Sequence, residues 1–315
     1  MEQKALQLGT AVLALALVLR LGSGDGKAAW EVGNTLTFIS TGRVAVQTEP
    51  TRDTVPGQET VPAETAETPP EETVPVFGES QKPLVKVSAA WSVDTLELLQ
   101  EPLEWELKAA VPTVLILHSH ATEGYRDTSG YRTTDKDKNM VSVGAKLAQE
   151  LEAGGIRVIH DTALHDSPSY NNAYIHARSS TEKILEENPG ICLVLDLHRD
   201  AAEDESGKQK AASVAVDGVS TARLMLVMGS DKGSRSYPNW EKNLALAVKL
   251  QAQLEQDYPG LCKPIKLGTS RYNQDLCTGA LLVEVGMAGN THSEALAAVK
   301  LLAEGILALA NGANL

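Results

Sequence analysis

The sequence is poor in aromatic residues and lacks the motifs of several large enzyme classes. Only 4% of its 315 residues are Phe, Trp or Tyr, which leaves little material for an aromatic platform that stacks on sugars. The G-x-S-x-G elbow, the GxxxxGK[ST] phosphate loop and the HExxH zinc motif are all missing. These absences argue against an α/β-hydrolase serine site, a P-loop nucleotide site and an HExxH peptidase site.

Basic residues are also in the minority. The net charge is -13 and the isoelectric point is about 5.0, whereas a nucleic-acid-binding protein needs a basic stripe. Between Val46 and Pro83 alone, eight acidic residues face two basic ones. The rest of the chain is only mildly acidic, so no nucleic acid is expected as a partner.

Cysteines are few and unpatterned. There are three, Cys192, Cys262 and Cys277, and no two are spaced as CxxC. An odd number without this spacing argues against a zinc knuckle or a disulfide framework. Cys192 lies in a predicted strand and is interpreted as a small buried apolar residue, while pairing of Cys262 with Cys277 stays open.

The N-terminal segment is apolar. The run from Ala5 to Val18 is nearly unbroken and is followed by Arg20. Its length lies between the h-region of a signal peptide, about 7–15 residues, and a membrane-spanning helix, about 20. The run has no polar face and no clear cleavage site follows it. We therefore interpret residues 1–22 as an uncleaved membrane anchor rather than a cleaved peptide or an amphipathic helix.

A change of composition separates this anchor from the rest of the chain. Seven prolines lie between residues 46 and 83, with many Thr and Glu residues among them. Such a segment cannot bury a core and its charges repel one another. Residues 23–83 are therefore predicted to be a Pro/Thr/Glu-rich linker, extended and disordered at least from residue 46, and residues 84–315 to be the folded domain.

Strand and helix patterns alternate through this domain. Apolar runs predict strands at 113–117, 156–160, 191–197, 223–228 and 281–285. Amphipathic patterns predict helices at 140–153, 172–187, 239–257 and from 293 onwards. This alternation predicts an α/β fold, a three-layer sandwich with a mainly parallel sheet flanked by helices.

Polar residues that suit metal chemistry follow or end three of these strands. They are His118, His120 and Glu123 on the first, Asp196, His198 and Arg199 on the second, and Glu284 on the third. Open α/β sheets place their sites at the carboxyl ends of their strands. A catalytic zinc needs a few His and carboxylate ligands and one open position, so these clusters predict a zinc site at one edge of the sheet.

Alternatives remain for each cluster. His118 and His120 point to opposite faces of an extended chain, so one of them is expected to ligate the metal. Asp196 either orients His198 or Arg199, or belongs to a surface cluster of salt bridges. Glu284 either faces the metal site or pairs with an arginine such as Arg199 or Arg271, because a buried carboxylate needs a partner.

Several longer strings resemble the stage II sporulation protein P family of endospore-forming bacteria. They cover about residues 96–310 and are LILHSHATEGY (115–125), YRTTDKDKNMVSVG (131–144), VIHDTALHDSPSYNNAY (158–174), LVLDLHRDA (193–201) and SRYNQDLCTGALLVEVGMAGNT (270–291). This family resembles the zinc-dependent N-acetylmuramoyl-L-alanine amidases. The resemblance thus implies an amidase-like fold.

The resemblance also implies roles for individual residues. His120 and His198 correspond to the two histidine ligands of zinc, and Glu284 to the catalytic glutamate. In the broader amidases a glutamate ligand opens the first helix, where this chain has Asp137–Asn139, so that role is assigned to Glu123. His118 is the alternative first ligand or an outer residue of the site.

The implied reaction is hydrolysis of the amide bond between N-acetylmuramic acid and L-alanine of the stem peptide. Arg199, Arg126 or Arg132 would hold a stem-peptide carboxylate. The implied role is septal wall removal and engulfment during sporulation, in a complex with stage II sporulation proteins D and M. The protein would be a single-pass protein of the cell membrane, with its catalytic domain outside the cytoplasm.

Two other functions compete with this one. A zinc peptidase or deacetylase of the cell wall would use the same metal on another bond. A non-catalytic, membrane-tethered scaffold that binds the wall would use no metal, and Glu284 would then be a structural ion-pair partner.

Overall fold

A mixed sheet forms the centre of the computed structural model, which describes residues 73–75, 84–103, 105–128 and 130–312. The strands are β1 Thr73–Pro75, β2 Leu84–Ser88, β3 Val114–Leu117, β4 Val158–His160, β5 Leu193–Asp200, β6 Ser213–Val216, β7 Val219–Ala222, β8 Leu224–Met228, β9 Ile265–Leu267 and β10 Ala280–Met287. Eight of them form one sheet in the order β1-β2-β9-β8-β10-β5-β3-β4, and β6 and β7 form a separate hairpin.

The sheet is mainly parallel, as predicted. The pairs β1–β2 and β8–β10 are antiparallel, and the other neighbouring pairs are parallel. Parallel strands of this kind are buried on both faces, which agrees with the continuous apolar runs of β3 and β8.

Helices cover both faces of the sheet. They are α1 Thr95–Gln100, α2 Met140–Ala153, α3 Ala173–Glu187, α4 Trp240–Asp257 and α5 His292–Ala310. Side chains of α2, α4 and α5 join one face in the main apolar core. On the other face α3 contributes Ala177 to a smaller cluster. The predicted three-layer architecture is therefore confirmed.

The alternation of side chains along β5 and β10 positions the polar residues. Leu195 and Val283 point into the main core, so Asp196, His198 and Glu284 point to the opposite face. Glu284 is the register partner of His198, because β5 and β10 run parallel side by side. The face that carries these polar groups is the one that α3 covers.

The predicted N-terminal segments fall mostly outside the described residues. This applies to the anchor, residues 1–22, and to the linker, residues 23–83, except for Thr73–Pro75. Those three residues form β1 and pair with β2, so this part of the predicted tether is a strand. No helix among the described residues is long and apolar enough to cross a membrane.

The open pairing of Cys262 with Cys277 is not present. All three cysteines are free thiols. Cys262 lies in the main core, whereas Cys277 packs against the α3-side cluster. The two thiols therefore lie on opposite faces of the sheet, which sequence spacing alone does not reveal.

Candidate functional site

Four of the predicted residues meet at one edge of the sheet. Glu284 and His198 are neighbours across β10 and β5. His198 Nδ1 lies 3.7 Å from Glu123 Oε2, and the ring centroids of His198 and His120 are 5.5 Å apart. All but Glu284 are buried as residues. The strand ends thus bring together side chains that are more than 160 residues apart in the chain.

A turn after β3 returns Glu123 to this edge. The amide of Glu123 donates to the carbonyl of His120 over 3.1 Å. The backbone N–H of Arg199 then donates to Glu123 Oε2 over 3.1 Å. Glu123 is therefore held by β5, the strand that also carries His198.

Arg199 is occupied by the same loop. Its Nε donates to the carbonyl of Gly124 over 3.0 Å and one terminal nitrogen to that of Tyr131 over 2.8 Å. The other terminal nitrogen lies 3.7 Å from Glu123 Oε1. Arg199 is 8% exposed, so it positions the loop, and its fork is not open to a substrate carboxylate as proposed from the sequence.

Asp196 links β3 to His198. Its carboxylate accepts hydrogen bonds from the backbone N–H and the hydroxyl of Ser119, over 2.8 and 2.6 Å. His198 Nε2 lies 3.0 Å from Asp196 Oδ1, but without the alignment of a hydrogen bond. Asp196 is buried rather than part of a surface cluster, so of the two alternatives the structure places it beside His198.

The electrostatics of the site separate Glu284 from His198. Burial raises the pKa of Glu284 to about 8, and the neighbouring Glu123 adds to this while His198 opposes it. Burial alone would lower the pKa of His198, but Asp196, Glu123 and Glu284 outweigh it and raise that pKa to about 10. Arg271 pairs with Asp275 instead of Glu284. Glu284 therefore faces the site.

Three polar atoms of this site are buried without a hydrogen-bond partner among the described residues. They are His120 Nδ1, His198 Nε2 and Glu284 Oε2. Buried polar atoms are normally satisfied, and an exception indicates an absent water, ion or ligand. The donors at this edge, two imidazoles and carboxylates, are those that zinc prefers.

The donor types fit zinc, but they are not assembled around one point. In the part of the chain that the structure describes, no three His, Cys, Asp or Glu side chains are already arranged to hold a metal ion.

His118 lies on the other side of β3. Its Nδ1 is 3.3 Å from the carbonyl of Leu197, and its Nε2 is 2.9 Å from Nε2 of His160. Burial and then the neighbouring His160 lower the pKa of His118 to about 3. Because α2 covers this pair at Gly144, His118 does not reach the edge where His120 lies, and the alternative of His118 as first ligand is disfavoured.

Sequence reasoning missed three residues that surround His120. Asp166 accepts hydrogen bonds from the backbone and the hydroxyl of Thr122 and lies 3.8 Å from His120 Nδ1. Tyr170 stacks on the His120 ring with centroids 4.4 Å apart. Tyr174 meets the same ring edge-on at 5.4 Å. All three lie in the string 158–174, which carries part of the family resemblance. None of them directly follows a strand, so the rule that identified His120 does not identify them.

The remaining arginine candidates differ. Arg132 pairs with Asp166 and lies over the Tyr170 ring at 4.4 Å. Arg126 is exposed. Asn139, at the place where the broader amidases carry a glutamate ligand, caps α2 by accepting from the Val141 N–H over 2.9 Å. That position is therefore a helix cap in this chain.

Comparison with known proteins gives a family and several solved structures. The profile described as Stage II sporulation protein P (SpoIIP) matches residues 38–307. The Stage II sporulation protein P of Bacillus subtilis (strain 168) is 29% identical over 197 residues, which are 58% of this chain and 47% of that protein. The match thus spans about half the length of this relative.

The solved structures that are similar to this chain include amidases. The CwlD amidase of Clostridioides difficile, in complex with the GerS lipoprotein, is 17% identical; the alignment covers 62% of this chain and 94% of that one, with a TM-score of 0.39. The N-acetylmuramoyl-L-alanine amidase AmiC2 of Nostoc punctiforme is 13% identical, over 64% and 94% of the two chains, with a TM-score of 0.37. At these values neither structure bears on the chemistry of this chain.

Proposed function

This chain belongs to the Stage II sporulation protein P family, and from that premise we propose that it is a sporulation cell-wall hydrolase. The proposed reaction is cleavage of the amide bond between N-acetylmuramic acid and L-alanine of the stem peptide. One observation supports it most: Glu284 lies next to His198 and Glu123 with a buried, unpartnered carboxylate oxygen. This is the arrangement expected of a general base in a hydrolytic site.

The metal in this proposal is zinc. His120, Glu123 and His198 would hold it, and when bound it would polarise the scissile carbonyl and acidify water. Asp196 would keep the His198 ring in place, since its carboxylate is fixed by two bonds from Ser119. Arg199 would do the same for Glu123 through its backbone N–H.

Glu284 would move the proton. Its carboxylate accepts a proton from the attacking water and delivers it to the nitrogen of the leaving L-alanine. A base of this kind works best when its pKa lies near the working pH, and burial raises the pKa of Glu284 to about 8. Tyr174, whose ring stacks on that of His198 at 6.2 Å, closes one side of the site.

The setting of the reaction is also part of the proposal. The predicted anchor at residues 1–22 would hold the chain in the cell membrane by a single span, with the catalytic domain outside the cytoplasm. Peptidoglycan would be the substrate, and stage II sporulation proteins D and M would be partners in septal wall removal. The acidic net charge of -13 supports a partner other than nucleic acid.

Digestion of purified peptidoglycan by the full chain tests the reaction. We expect mass spectrometry to show free stem peptides that begin with L-alanine, and a chelator to abolish them. Glu284→Gln should reduce their release about 10³-fold, whereas the exposed Glu187→Gln should not change it. Fragments cut at other bonds would instead support a peptidase or deacetylase. Undigested wall with folded protein would support the scaffold.

Metal content tests the ligands separately. We expect His198→Ala to lose the zinc that elemental analysis finds in the wild type, because one of its donors is gone. His176→Ala is the matched control, since His176 is exposed on α3 and its one hydrogen bond within the described residues is to the His165 carbonyl. Full metal content in His198→Ala would contradict the ligand assignment.

A further inference from the structure

A cavity of about 450 Å³ lies beside the candidate site. Two loops form it, one after β8 and one after β9, together with the first turns of α3. Its lining includes Tyr174, Arg235, Ser270, Arg271, Tyr272 and Asn273. Ser270–Asn273 open the last string of the family resemblance.

Two tyrosines connect this cavity to the site. Tyr174 lines the cavity and also stacks on the ring of His198, with centroids 6.2 Å apart. Tyr272 lies 6.2 Å from Tyr174 between ring centroids and packs against a small cluster of Met225, Val227 and Leu282. Leu282 and Glu284 share one face of β10 because they are two residues apart. The cavity and the site are therefore neighbours along the same face of the sheet.

Close backbone contacts make the two loops rigid. A Cβ atom on Gly229 would overlap the carbonyl oxygen of Ser270, and one on Gly233 would lie 2.5 Å from that of Thr269. The hydroxyl of Ser230 donates to the carbonyl of Gly268 over 2.8 Å. Only glycine permits two backbone segments to approach this closely. The two loops therefore hold the cavity in shape without a ligand.

Backbone strain is concentrated at its wall. Tyr272 and Asn273 have φ angles of 50° and 58°, a left-handed conformation that costs energy in residues other than glycine. The side chain of Asn273 donates to the carbonyl of Tyr174 over 2.8 Å, and the buried Gln274 bonds Gly229 N–H and the Val227 carbonyl. Such strain persists where the surroundings fix it, commonly at binding sites.

The charge of the cavity is opposite to that of the chain. Arg235 and Arg271 are its only charged lining residues within the described part of the chain, although the net charge is -13. Arg271 pairs with Asp275 at 3.0 Å, and the neighbouring Arg178 pairs with both Asp275 and Glu182, so two carboxylates balance these two arginines. Arg235 is exposed and forms no ion pair or hydrogen bond with the described residues. The cavity thus keeps uncompensated positive charge.

We propose that this cavity binds a free carboxylate of the stem peptide during hydrolysis. The inference rests on the proposed function and assigns to Arg235 and Arg271 the role that the sequence suggested for Arg199, Arg126 or Arg132. Arginine suits a carboxylate because its planar fork donates two parallel bonds. The two tyrosine steps put the cavity on the order of 10 Å from His198, which about three residues of extended peptide span.

Peptide binding to the full chain tests this without requiring hydrolysis. Two synthetic stem peptides that begin with L-alanine are compared by titration calorimetry, one with free carboxylates and one with carboxamides in their place. We expect the carboxylate form to bind at least tenfold more tightly. Arg235→Gln should remove about tenfold of that preference. Lys232→Gln, the loss of an exposed positive charge in the same loop outside the cavity, should leave it unchanged.

Three results would overturn the proposal: equal affinity for both peptides, an equal loss in Lys232→Gln, or displacement of the peptide by inorganic phosphate at the concentration of the peptide itself. Arg271→Gln is a second variant, for which we expect a larger loss of the carboxylate preference. If the contact of Arg271 with Asp275 proves necessary for folding, Arg235→Gln still tests the proposal. A preference for the carboxylate peptide in a chain that does not hydrolyse the wall would contradict the proposed reaction and support carboxylate binding by the cavity. Equal rates of hydrolysis on substrates with free carboxylates and with carboxamides would contradict only the proposed role of the cavity.

Discussion

The face of the sheet beneath α2 and the face beneath α3 differ in whether their buried polar atoms form hydrogen bonds. On the α2 side, both ring nitrogens of His118 have partners, the Leu197 carbonyl and His160. On the α3 side, His120, His198 and Glu284 each retain a buried polar atom that forms no hydrogen bond with the described residues, although Asp166 and Asp196 lie near the histidine nitrogens. The two histidines, two positions apart, are separated by the alternation of an extended strand.

This difference distinguishes packing from function. A satisfied buried pair contributes to stability and resists change of shape. Unsatisfied buried groups cost free energy in the folded state and persist where a ligand or a reaction uses them. Substitutions on the α2 side should therefore lower stability, and substitutions on the α3 side should lower activity while raising stability.

The largest effect on stability is expected beneath α2. Gly144→Ala places a Cβ 2.5 Å from Nε2 of His118 and 2.6 Å from that of His160, and neither ring is free to move away. We expect the free energy of unfolding to fall by about 2–3 kcal/mol, although alanine favours a helix by up to about 1 kcal/mol. Urea denaturation followed by circular dichroism measures it.

Gly305→Ala in α5 is the matched control for this change. Its Cβ would meet the far end of the Leu254 side chain, an aliphatic group without hydrogen bonds to break when it shifts, so the loss should be smaller. Equal losses in the two variants would mean that the histidine pair is not rigid, and the contrast between the two sides of β3 would fail.

An increase in stability is expected on the α3 side. Because burial raises the pKa of Glu284 to about 8, the unfolded chain ionises this group at lower pH than the folded one. The folded state thus loses stability as pH rises from the ordinary glutamate range to about 8. In chelator, Glu284→Gln should raise the free energy of unfolding by about 1–3 kcal/mol at pH 9, and by nothing near pH 4.

Denaturation curves of Glu284→Gln and Glu187→Gln at both pH values measure this effect. The scaffold interpretation makes the opposite prediction, because a structural ion pair of Glu284 would be lost in the variant. A fall in stability at pH 9 would therefore support the scaffold and contradict the site described above.

The smallest effect is expected at a carboxylate that is fully satisfied. Burial alone would raise the pKa of Glu294. Hydrogen bonds donated by the Thr291 N–H and by the side chains of Ser220, Asn290 and Ser213 outweigh burial and lower this pKa to about 2. This group closes the capping box of α5. Its contribution to stability is present above the ordinary glutamate range and is lost as pH falls through about 2.

Glu294→Gln should therefore lower the free energy of unfolding by under about 1 kcal/mol at pH 7, since solvent screens this partly exposed group. The difference from the wild type should vanish near pH 2, the reverse of the pH dependence of Glu284→Gln. Denaturation at pH 7 and pH 2 checks both points. A difference that persists at pH 2 would mean that the charge of Glu294 is not what stabilises the helix end.

Strong periodic patterns predicted most of the fold. The helix expected at 140–153 has these bounds, because its apolar positions recur at helical spacing and Gly154 ends it. The hairpin of β6 and β7 was missed, although Asp217 and Gly218, which both have positive φ, form the two-residue Asp-Gly turn that is typical of a hairpin. β9, three residues long, has too few residues to show a pattern.

For the site, the rule that polar residues follow buried strands identified His120, His198 and Glu284, and the structure brings them to one edge. It does not identify Asp166 or Tyr174, which lie in a loop and at the start of a helix. Arg199 was a candidate either for binding substrate or for supporting the residues of the site. The carbonyls that occupy it belong to a loop whose shape the sequence does not specify, so the sequence could not decide between the two roles.

The fork of Arg199 also affects how the site moves. Its guanidinium donates hydrogen bonds to the carbonyls of Gly124 and Tyr131, and its backbone N–H donates one to Glu123, so Arg199 fastens one loop to β5. The loop therefore cannot open one contact at a time. Its amide protons, such as those of Gly124 and Thr133, should exchange with deuterium as slowly as those of β5, in a single cooperative unit.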